Sequence, residues 1–184
     1  MAFHSQLVLA TLASHPNVAQ LYGAVLDPLK VANYGKLVMP RYNCGNILEF
    51  VARFNEEPEA MAAMGGLPGV QWQVIKQLAA GLEFLHAAGV LHRNLKPQNV
   101  LVHAPSPAHP IGFEVRVADF GPFRSSALPA LEAFVAPETR EVDEFSPQSD
   151  VFSAGLVVWA LASGGGAASS QAGMPHSLSG SSSF

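Results

Sequence analysis

The chain has 184 residues, enough to bury the core of one domain, and its 49% hydrophobic and 13% charged residues favour a packed interior over wholesale disorder. The net charge is −4 and no basic run occurs, which speaks against a nucleic-acid partner or an anionic-membrane surface. The single cysteine, Cys44, excludes an internal disulfide, and the seven histidines lack the paired spacing of a metal site.

The first 44 residues predict a helix followed by a β-hairpin. Three apolar residues fall on one face of a helix over residues 1–14: Phe3, Leu7 and Ala10. Two strand-like runs follow, at 18–25 and 36–39, with turn-forming residues between them. Residues 7–13 are apolar, but no Lys or Arg precedes them. A secretory signal peptide is therefore the less favoured interpretation, and we expect a cytoplasmic protein.

The middle of the chain predicts a short helix, a loop and then a long amphipathic helix. Residues 45–54 are typical of a short helix, and 55–69 predict a loop rich in Glu, Ala, Gly and Pro. Five apolar residues recur at three- and four-residue spacing and predict the buried face of the long helix: Trp72, Ile75, Ala79, Leu82 and Leu85. Gly89 stands where a glycine ends such a helix.

Two strands and a final helix are predicted beyond this point. Residues 100–102 are typical of a buried strand, and residues 113–117 alternate apolar with other residues as a second strand. Irregular structure is predicted over 118–147, followed by an apolar helix from Asp150 to near Ser163.

Neither that helix nor the segment after it indicates a membrane protein. The apolar stretch AGLVVWALA is far shorter than the about 20 residues that a bilayer-spanning helix needs, so we expect no membrane insertion. Residues 164–184 are mostly Gly, Ala and Ser, and predict a disordered tail.

Four short motifs follow one another in a distinctive order. They are His92-Arg93-Asn94-Leu95-Lys96-Pro97-Gln98-Asn99, Asp119-Phe120-Gly121, Ala136-Pro137-Glu138 and the segment SDVFSAG that begins at Ser149. Taken singly, Lys96 and Asn99 could be loop-capping residues, and Asp119 could be a turn former before Gly121. Four motifs in this order, between these predicted elements, are highly specific.

In these motifs the chain resembles the protein kinase superfamily over residues 3–163. The resemblance implies an α+β, protein kinase-like fold. Residues 1–44 would be an incomplete small lobe, with one helix and a β-hairpin, and 45–163 a mainly helical large lobe cut short at its C-terminal end. Tyr22-Gly23 and residues 45–50 (GNILEF) resemble tyrosine-kinase-like members, and the order Leu-Lys-Pro-Gln-Asn at 95–99 resembles the serine/threonine type.

The resemblance also implies a site for ATP and Mg²⁺. Asn99 and Asp119, from opposite arms of the predicted hairpin, would supply the oxygen ligands that Mg²⁺ prefers. Lys96 would offer a mobile positive charge to the γ-phosphate. The remaining implied nucleotide contacts are Met39, the Pro40 carbonyl, the Tyr42 N–H, Glu49 at the ribose and Leu101 as the floor.

Several positions depart from the family pattern. Asn94 stands where active kinases carry the aspartate that accepts the proton of the substrate hydroxyl, and Gln6 where a helix carries a glutamate. The lysine that pairs with that glutamate and the Gly-rich loop over the phosphates are not found in the sequence. Pro122 directly after Gly121 fixes a backbone angle and removes a donor.

Other family features are present. Asp150 matches the residue that hydrogen-bonds the backbone of the catalytic loop. Arg93 matches the arginine that receives a phosphorylated residue of the activation segment, for which Ser125 or Ser126 is a candidate, with a solvated flexible loop as the alternative.

Three hypotheses follow. The first is a catalytically impaired, pseudokinase-like domain with a binding or scaffolding role, in which Asn94 and Lys96 occupy the catalytic positions. The second is an active, ATP-dependent serine/threonine protein kinase represented by an incomplete chain. The third is a truncated fragment without function. The sequence does not indicate a protein partner or substrate.

Overall fold

The computed structural model of the chain describes residues 14–26, 35–108, 110–120, 133–142 and 144–163. Several sequence predictions lie outside these residues. They concern the helix over 1–14, Gln6, the turn between the first two strands, Gly121, Pro122, Ser125, Ser126 and the tail. They stay predictions.

The described residues form two small antiparallel sheets and five α-helices, so the predicted α+β class is confirmed. The strands are β1 (Gly23–Leu26), β2 (Gly35–Val38), β3 (Val100–His103) and β4 (Glu114–Val117). The helices are α1 (Ile47–Asn55), α2 (Pro58–Ala63), α3 (Gly66–Ala87), α4 (Pro137–Val142) and α5 (Pro147–Ala162), and Pro97–Asn99 form a 3₁₀ turn. None of the described helices is both long and apolar enough to cross a bilayer.

Both predicted hairpins are present, but β1 is shorter than the predicted run 18–25, because Val18 forms an isolated bridge with Val117 of the second sheet. In the first, Gly23 pairs with Val38, and in the second, Val100 pairs with Val117. Neighbouring backbone covers both edges of the second hairpin. The Ala19 N–H donates to the Val117 carbonyl at 2.8 Å, and the Val102 N–H donates to the Gly45 carbonyl at 2.8 Å. This coverage satisfies edge groups that would otherwise invite association.

Helix α3 buries a different face from the predicted one. Leu82 and Leu85 are buried as expected, but Trp72 is 60% exposed, Ile75 is 38% exposed and Ala79 is exposed. The buried residues of the helix are Val70, Val74, Leu78, Gly81, Leu82 and Leu85. Apolar residues occur on most sides of this helix, so their spacing in the sequence is compatible with two different buried faces.

Gly81 shows what selects the buried face. A Cβ at this position would lie 2.6 Å from the Asn17 carbonyl oxygen, so the backbone of α3 approaches the segment that borders β4. The side of α3 that carries Gly81 is therefore the one that packs on the second hairpin, because no side chain separates the two backbones there.

The predicted glycine terminus of α3 is confirmed. Gly89 has φ +72°, its N–H donates to the His86 carbonyl at 2.9 Å, and the Val90 N–H donates to the Leu85 carbonyl at 2.9 Å. These two bonds satisfy carbonyls of the last helical turn, and the positive φ favours glycine.

Two predictions of irregular structure were wrong. Residues 55–69 contain all of α2 and the start of α3, because Pro58 suits a first helical turn and Met61 finds a buried position. Residues 118–147 contain α4. Helix α5 begins at Pro147 rather than at Asp150, because Ser146 caps it.

Leu78→Ala and Ile75→Ala test the assignment of the buried face of α3. Both replace a four-carbon side chain in the middle of the helix with a methyl group, but Leu78 is 2% exposed and Ile75 is 38% exposed. We expect Leu78→Ala to lower the free energy of unfolding by about 2–5 kcal/mol, and Ile75→Ala by less than about 1 kcal/mol. Chemical denaturation measures both, and a larger loss for Ile75→Ala would contradict the assignment.

Candidate active site

One buried carboxylate, that of Asp150, holds the segment that precedes the candidate catalytic residues. Its Oδ1 accepts the Arg93 N–H at 2.8 Å, and its Oδ2 accepts the His92 N–H at 2.7 Å. Oδ2 also accepts from Nε2 of His86 on α3 at 2.9 Å. Asp150 therefore ties α5, α3 and the loop at 92–93 together, in the place that the sequence resemblance implied.

The first turn of α5 positions this carboxylate. The Ser146 side chain accepts from the Ser149 N–H at 3.2 Å, and the Ser146 N–H donates to the Ser149 hydroxyl at 3.0 Å. This reciprocal pair satisfies N–H groups at the start of the helix. Asp150, in the same turn, also benefits from the positive end of the helix dipole.

His92 is fully buried beneath the loop. Its ring meets Phe120 edge-on, with centroids 6.0 Å apart, and its Nδ1 accepts the Asn94 N–H at 3.3 Å. Burial lowers the pKa of His92 from 6.5 to about 4, and the Asp150 carboxylate opposes that shift in part. The imidazole is therefore neutral near pH 7 and serves as a packed hydrogen-bond acceptor.

The loop then folds back so that Asn94, Asn99 and Asp119 meet. The Asn99 N–H donates to the Lys96 carbonyl at 2.9 Å, and the Ala118 N–H donates to the Asn99 carbonyl at 2.9 Å. The second of these bonds places Asp119 beside the loop. Asp119 adopts a left-handed conformation, with φ +57°, which turns the chain at the end of β4.

The Asn94 carboxamide binds the Asp119 carboxylate directly. Nδ2 of Asn94 lies 2.8 Å from Oδ2 of Asp119, and Nδ2 of Asn99 lies 3.5 Å from the same oxygen. Nδ2 of Asn99 also donates to the Asn94 carbonyl at 2.7 Å. Reversing either amide would bring an oxygen against these acceptors, so the hydrogen-bond partners fix both orientations.

The implied Mg²⁺ site overlaps the hydrogen bond between Asn94 and Asp119. Mg²⁺ requires oxygen ligands, and Oδ2 of Asp119 already accepts from the Asn94 amide, which an ion at that oxygen would have to displace. Within the described part of the chain, no group of three or more His, Cys, Asp or Glu side chains could hold a metal. Asn99 and Asp119 lie close together, as the sequence resemblance implied, and the Asn94 amide donates to the Asp119 carboxylate between them.

A cavity of about 360 Å³ lies beside this cluster. Asn99, Asp119 and Phe120 line it, together with Met39 and Leu101. The ring of His15 stacks on Phe84 with centroids 4.8 Å apart and adds an aromatic wall. The volume of the cavity is within the range of small-molecule sites.

Four predicted nucleotide contacts are not among the described residues that line this cavity: Pro40, Tyr42, Glu49 and Lys96. Oε2 of Glu49 accepts the Asn46 N–H at 3.0 Å, at the start of α1. The Tyr42 hydroxyl accepts the Gln20 N–H at 3.2 Å, and burial raises the pKa of Tyr42. Lys96 lines a second, smaller cavity, together with Asn94.

Sequence reasoning missed the side chains that support the site from α3. His86 was not foreseen as the partner of Asp150, and Gln77 was not foreseen as the partner of Asn17, whose Nδ2 lies 3.0 Å from Gln77 Oε1. The only available signal was that polar residues recur along a largely apolar helix. That pattern does not predict which groups the polar side chains of α3 hydrogen-bond.

A family comparison now identifies the chain. A model of the protein kinase domain matches residues 3–175. The chain belongs to the protein kinase family.

Relatives of this kinase domain come from distant organisms. The serine/threonine-protein kinase ATG1c of Arabidopsis thaliana is 28% identical over 87% of this chain, and the DNA damage response protein kinase DUN1 of Saccharomyces cerevisiae is 25% identical over 94%. The Ack-related non-receptor tyrosine kinase of Caenorhabditis elegans is 29% identical over 89%. The chain spans 20%, 36% and 15% of their respective lengths.

Asp150→Ala tests whether this carboxylate stabilises the kinase loop. Removing it leaves the N–H groups of His92 and Arg93 without their acceptor, so we expect a loss of roughly 3–5 kcal/mol in the free energy of unfolding. Val151→Ala is the control, because that neighbouring side chain is 60% exposed, and we expect it to cost about 0.5 kcal/mol or less. Urea denaturation measures both, and equal losses would contradict the assigned role.

The burial of His92 predicts that acid destabilises the domain. The folded-state pKa of about 4 lies below the ordinary 6.5, so between these pH values the unfolded chain binds a proton that the folded chain does not. The free energy of unfolding should therefore fall as pH decreases from about 6.5 to about 4. We expect His92→Phe to be less stable at neutral pH but to show a weaker pH dependence in denaturation experiments. An unchanged dependence would contradict this.

Proposed function

We propose that this kinase domain is pseudokinase-like: it acts by binding, and it transfers phosphate negligibly. The observation that carries the proposal is the 2.8 Å hydrogen bond from Nδ2 of Asn94 to Oδ2 of Asp119. It concerns two positions that active kinases need for different tasks, proton acceptance and metal binding.

The first task fails because of the chemistry of a carboxamide. The oxygen of Asn94 can orient a hydroxyl group, but an amide does not take up its proton at useful pH. General-base catalysis typically contributes about 10²–10⁴-fold to a rate. Asn94 therefore removes much of the acceleration without removing the surface that binds a ligand.

The second task is impeded by the same side chain. Protein kinases use ATP with Mg²⁺, and the ions neutralise the charge of the phosphates. Here the Asn94 and Asn99 amides donate to the carboxylate oxygen of Asp119. An incoming ion would have to displace the shorter of these bonds before it could bind that oxygen.

A second candidate function is ATP-dependent serine/threonine protein phosphorylation. The meeting of Asn99 with Asp119 favours it, as does Lys96 within the order Leu-Lys-Pro-Gln-Asn. Two of the three relatives described above are named serine/threonine or DNA damage response kinases, and one is named a tyrosine kinase. We favour the pseudokinase-like function because Asn94 affects both tasks.

Radiolabelled phosphate transfer tests the proposal. With ATP, Mg²⁺ and a generic protein substrate, we expect the purified chain to give no more transfer than its Asp119→Ala variant, because both lack a competent proton acceptor. Transfer that Asp119→Ala abolishes would contradict the proposal and support the second candidate. Thermal melting of both proteins is the control that each is folded during the assay.

A further inference from the structure

Helix α3 carries a second apolar face outside the core. This outer face contains Trp72, Ile75 and Ala79, which the sequence pattern placed in the core but which the described part of the chain leaves exposed. Val74 and Leu78 already supply buried contacts from other sides of the helix. A helix that is apolar on most sides is normally covered on most of them, so the outer face indicates a surface that becomes buried in a complex.

Helix α5 runs beside the outer face, and a groove of about 800 Å³ lies between the two helices. On the α3 side this α3–α5 groove is lined by Ile75 and Ala79, and Glu83 and His86 are the ionisable residues among its described lining. Four apolar or small residues line it on the α5 side: Val151, Ala154, Gly155 and Val158. The groove is therefore suited to an apolar helix rather than to a charged ligand.

The outer face of α3 has the spacing of a coiled-coil contact. Five residues follow one another at alternating three- and four-residue steps: Trp72, Ile75, Ala79, Leu82 and His86. This is the repeat by which one helix packs lengthwise against another. Ala79 is at its centre, and a small residue there allows two helices to approach closely.

Two exposed charges beside the outer face form a self-complementary pair. Nζ of Lys76 lies 5.9 Å from the centre of the Trp72 ring, and Glu83 lines the groove about two helical turns further along. If two copies of α3 pack antiparallel with Ala79 near the two-fold axis, Lys76 of each copy faces Glu83 of the other. A parallel pair would place like charges at the same level instead. The order of the charges therefore favours an antiparallel pair of identical helices.

We propose that the outer face of α3 and the α3–α5 groove bind a second copy of this chain in an antiparallel, two-fold symmetric dimer. Each α3 lies along the groove of the other copy, which buries Trp72 and Ile75. The proposal goes beyond the proposed function, because it uses no residue of the cluster of Asn94, Asn99 and Asp119. An interface of this extent belongs to the small class, below about 1,200 Å² in total, so we expect a weak dimer with a Kd of roughly 10–100 µM.

Sedimentation equilibrium of the full chain from about 1 µM to about 200 µM tests the proposal, because this range spans the expected Kd. Lys76→Glu and Glu83→Lys each place like charges opposite one another, and each should weaken association at least fivefold. An equimolar mixture of the two variants restores opposite charges across the interface. The mixture should therefore associate at least fivefold more tightly than either variant alone, and a chain with both changes should dimerise within about twofold of the unaltered chain.

Arg41→Glu is the matched control for Lys76→Glu, because it makes the same change in net charge at an exposed residue outside the lining of the groove. It should leave the Kd unchanged, and thermal melting checks that every variant is folded. A chain that stays monomeric throughout the concentration range overturns the proposal in favour of another occupant, such as its own residues 164–184 or a different protein. Dimerisation that neither charge reversal weakens also overturns it, as does a mixture that associates no better than its components.

Discussion

The arrangement of this domain depends on a single buried carboxylate that binds groups from two other segments. Asp150 accepts from His86 on α3 and from two consecutive backbone N–H groups of the loop at 92–93. A buried carboxylate is costly unless its oxygens are satisfied, so the three donors and the carboxylate require each other. This mutual requirement fixes where the loop leaves α3 and hence where Asn94 and Asn99 lie.

Under the proposed function, the same framework would keep the geometry of the site without the proton acceptor of active kinases. The buried ring of His92 and the hydrogen bond between Ala118 and Asn99 bring Asp119 to the loop whether position 94 carries an acid or an amide. At that position the amide donates to Asp119, where an acid would add a second negative charge. The amide thus adds a hydrogen bond where these residues meet, and an amide is a poor proton acceptor. Positioning and reactivity reside in different residues here.

Prediction from the sequence succeeded where a local rule had one solution. Gly89 ends α3 because a positive φ there favours glycine, and both hairpins follow from alternating strands around turn residues. The prediction failed where the same rule was compatible with two structures. The apolar residues of α3 fit a face with Trp72 and Ile75 as well as one with Val74 and Leu78, and the close backbone approach at Gly81 decides between them. Residues 55–69 were misjudged because Gly and Ala content suggested a loop, although Pro58 and the burial of Met61 support a helix.

By itself, the sequence determined the family, most of the elements and the motifs that contain Asn94, Asn99 and Asp119, because each motif is a local string with its own backbone preferences. The tertiary structure decided which atoms meet. It turned the Asn94 amide onto Asp119, turned Glu49 back onto the start of α1, and placed Lys96 at a different cavity from Met39 and Leu101. The contact of Asn94 depends on a partner that is 25 residues away in the chain, and no local pattern specifies it. Glu49, by contrast, reaches the N–H of Asn46 three residues back, in a local arrangement typical of a helix start.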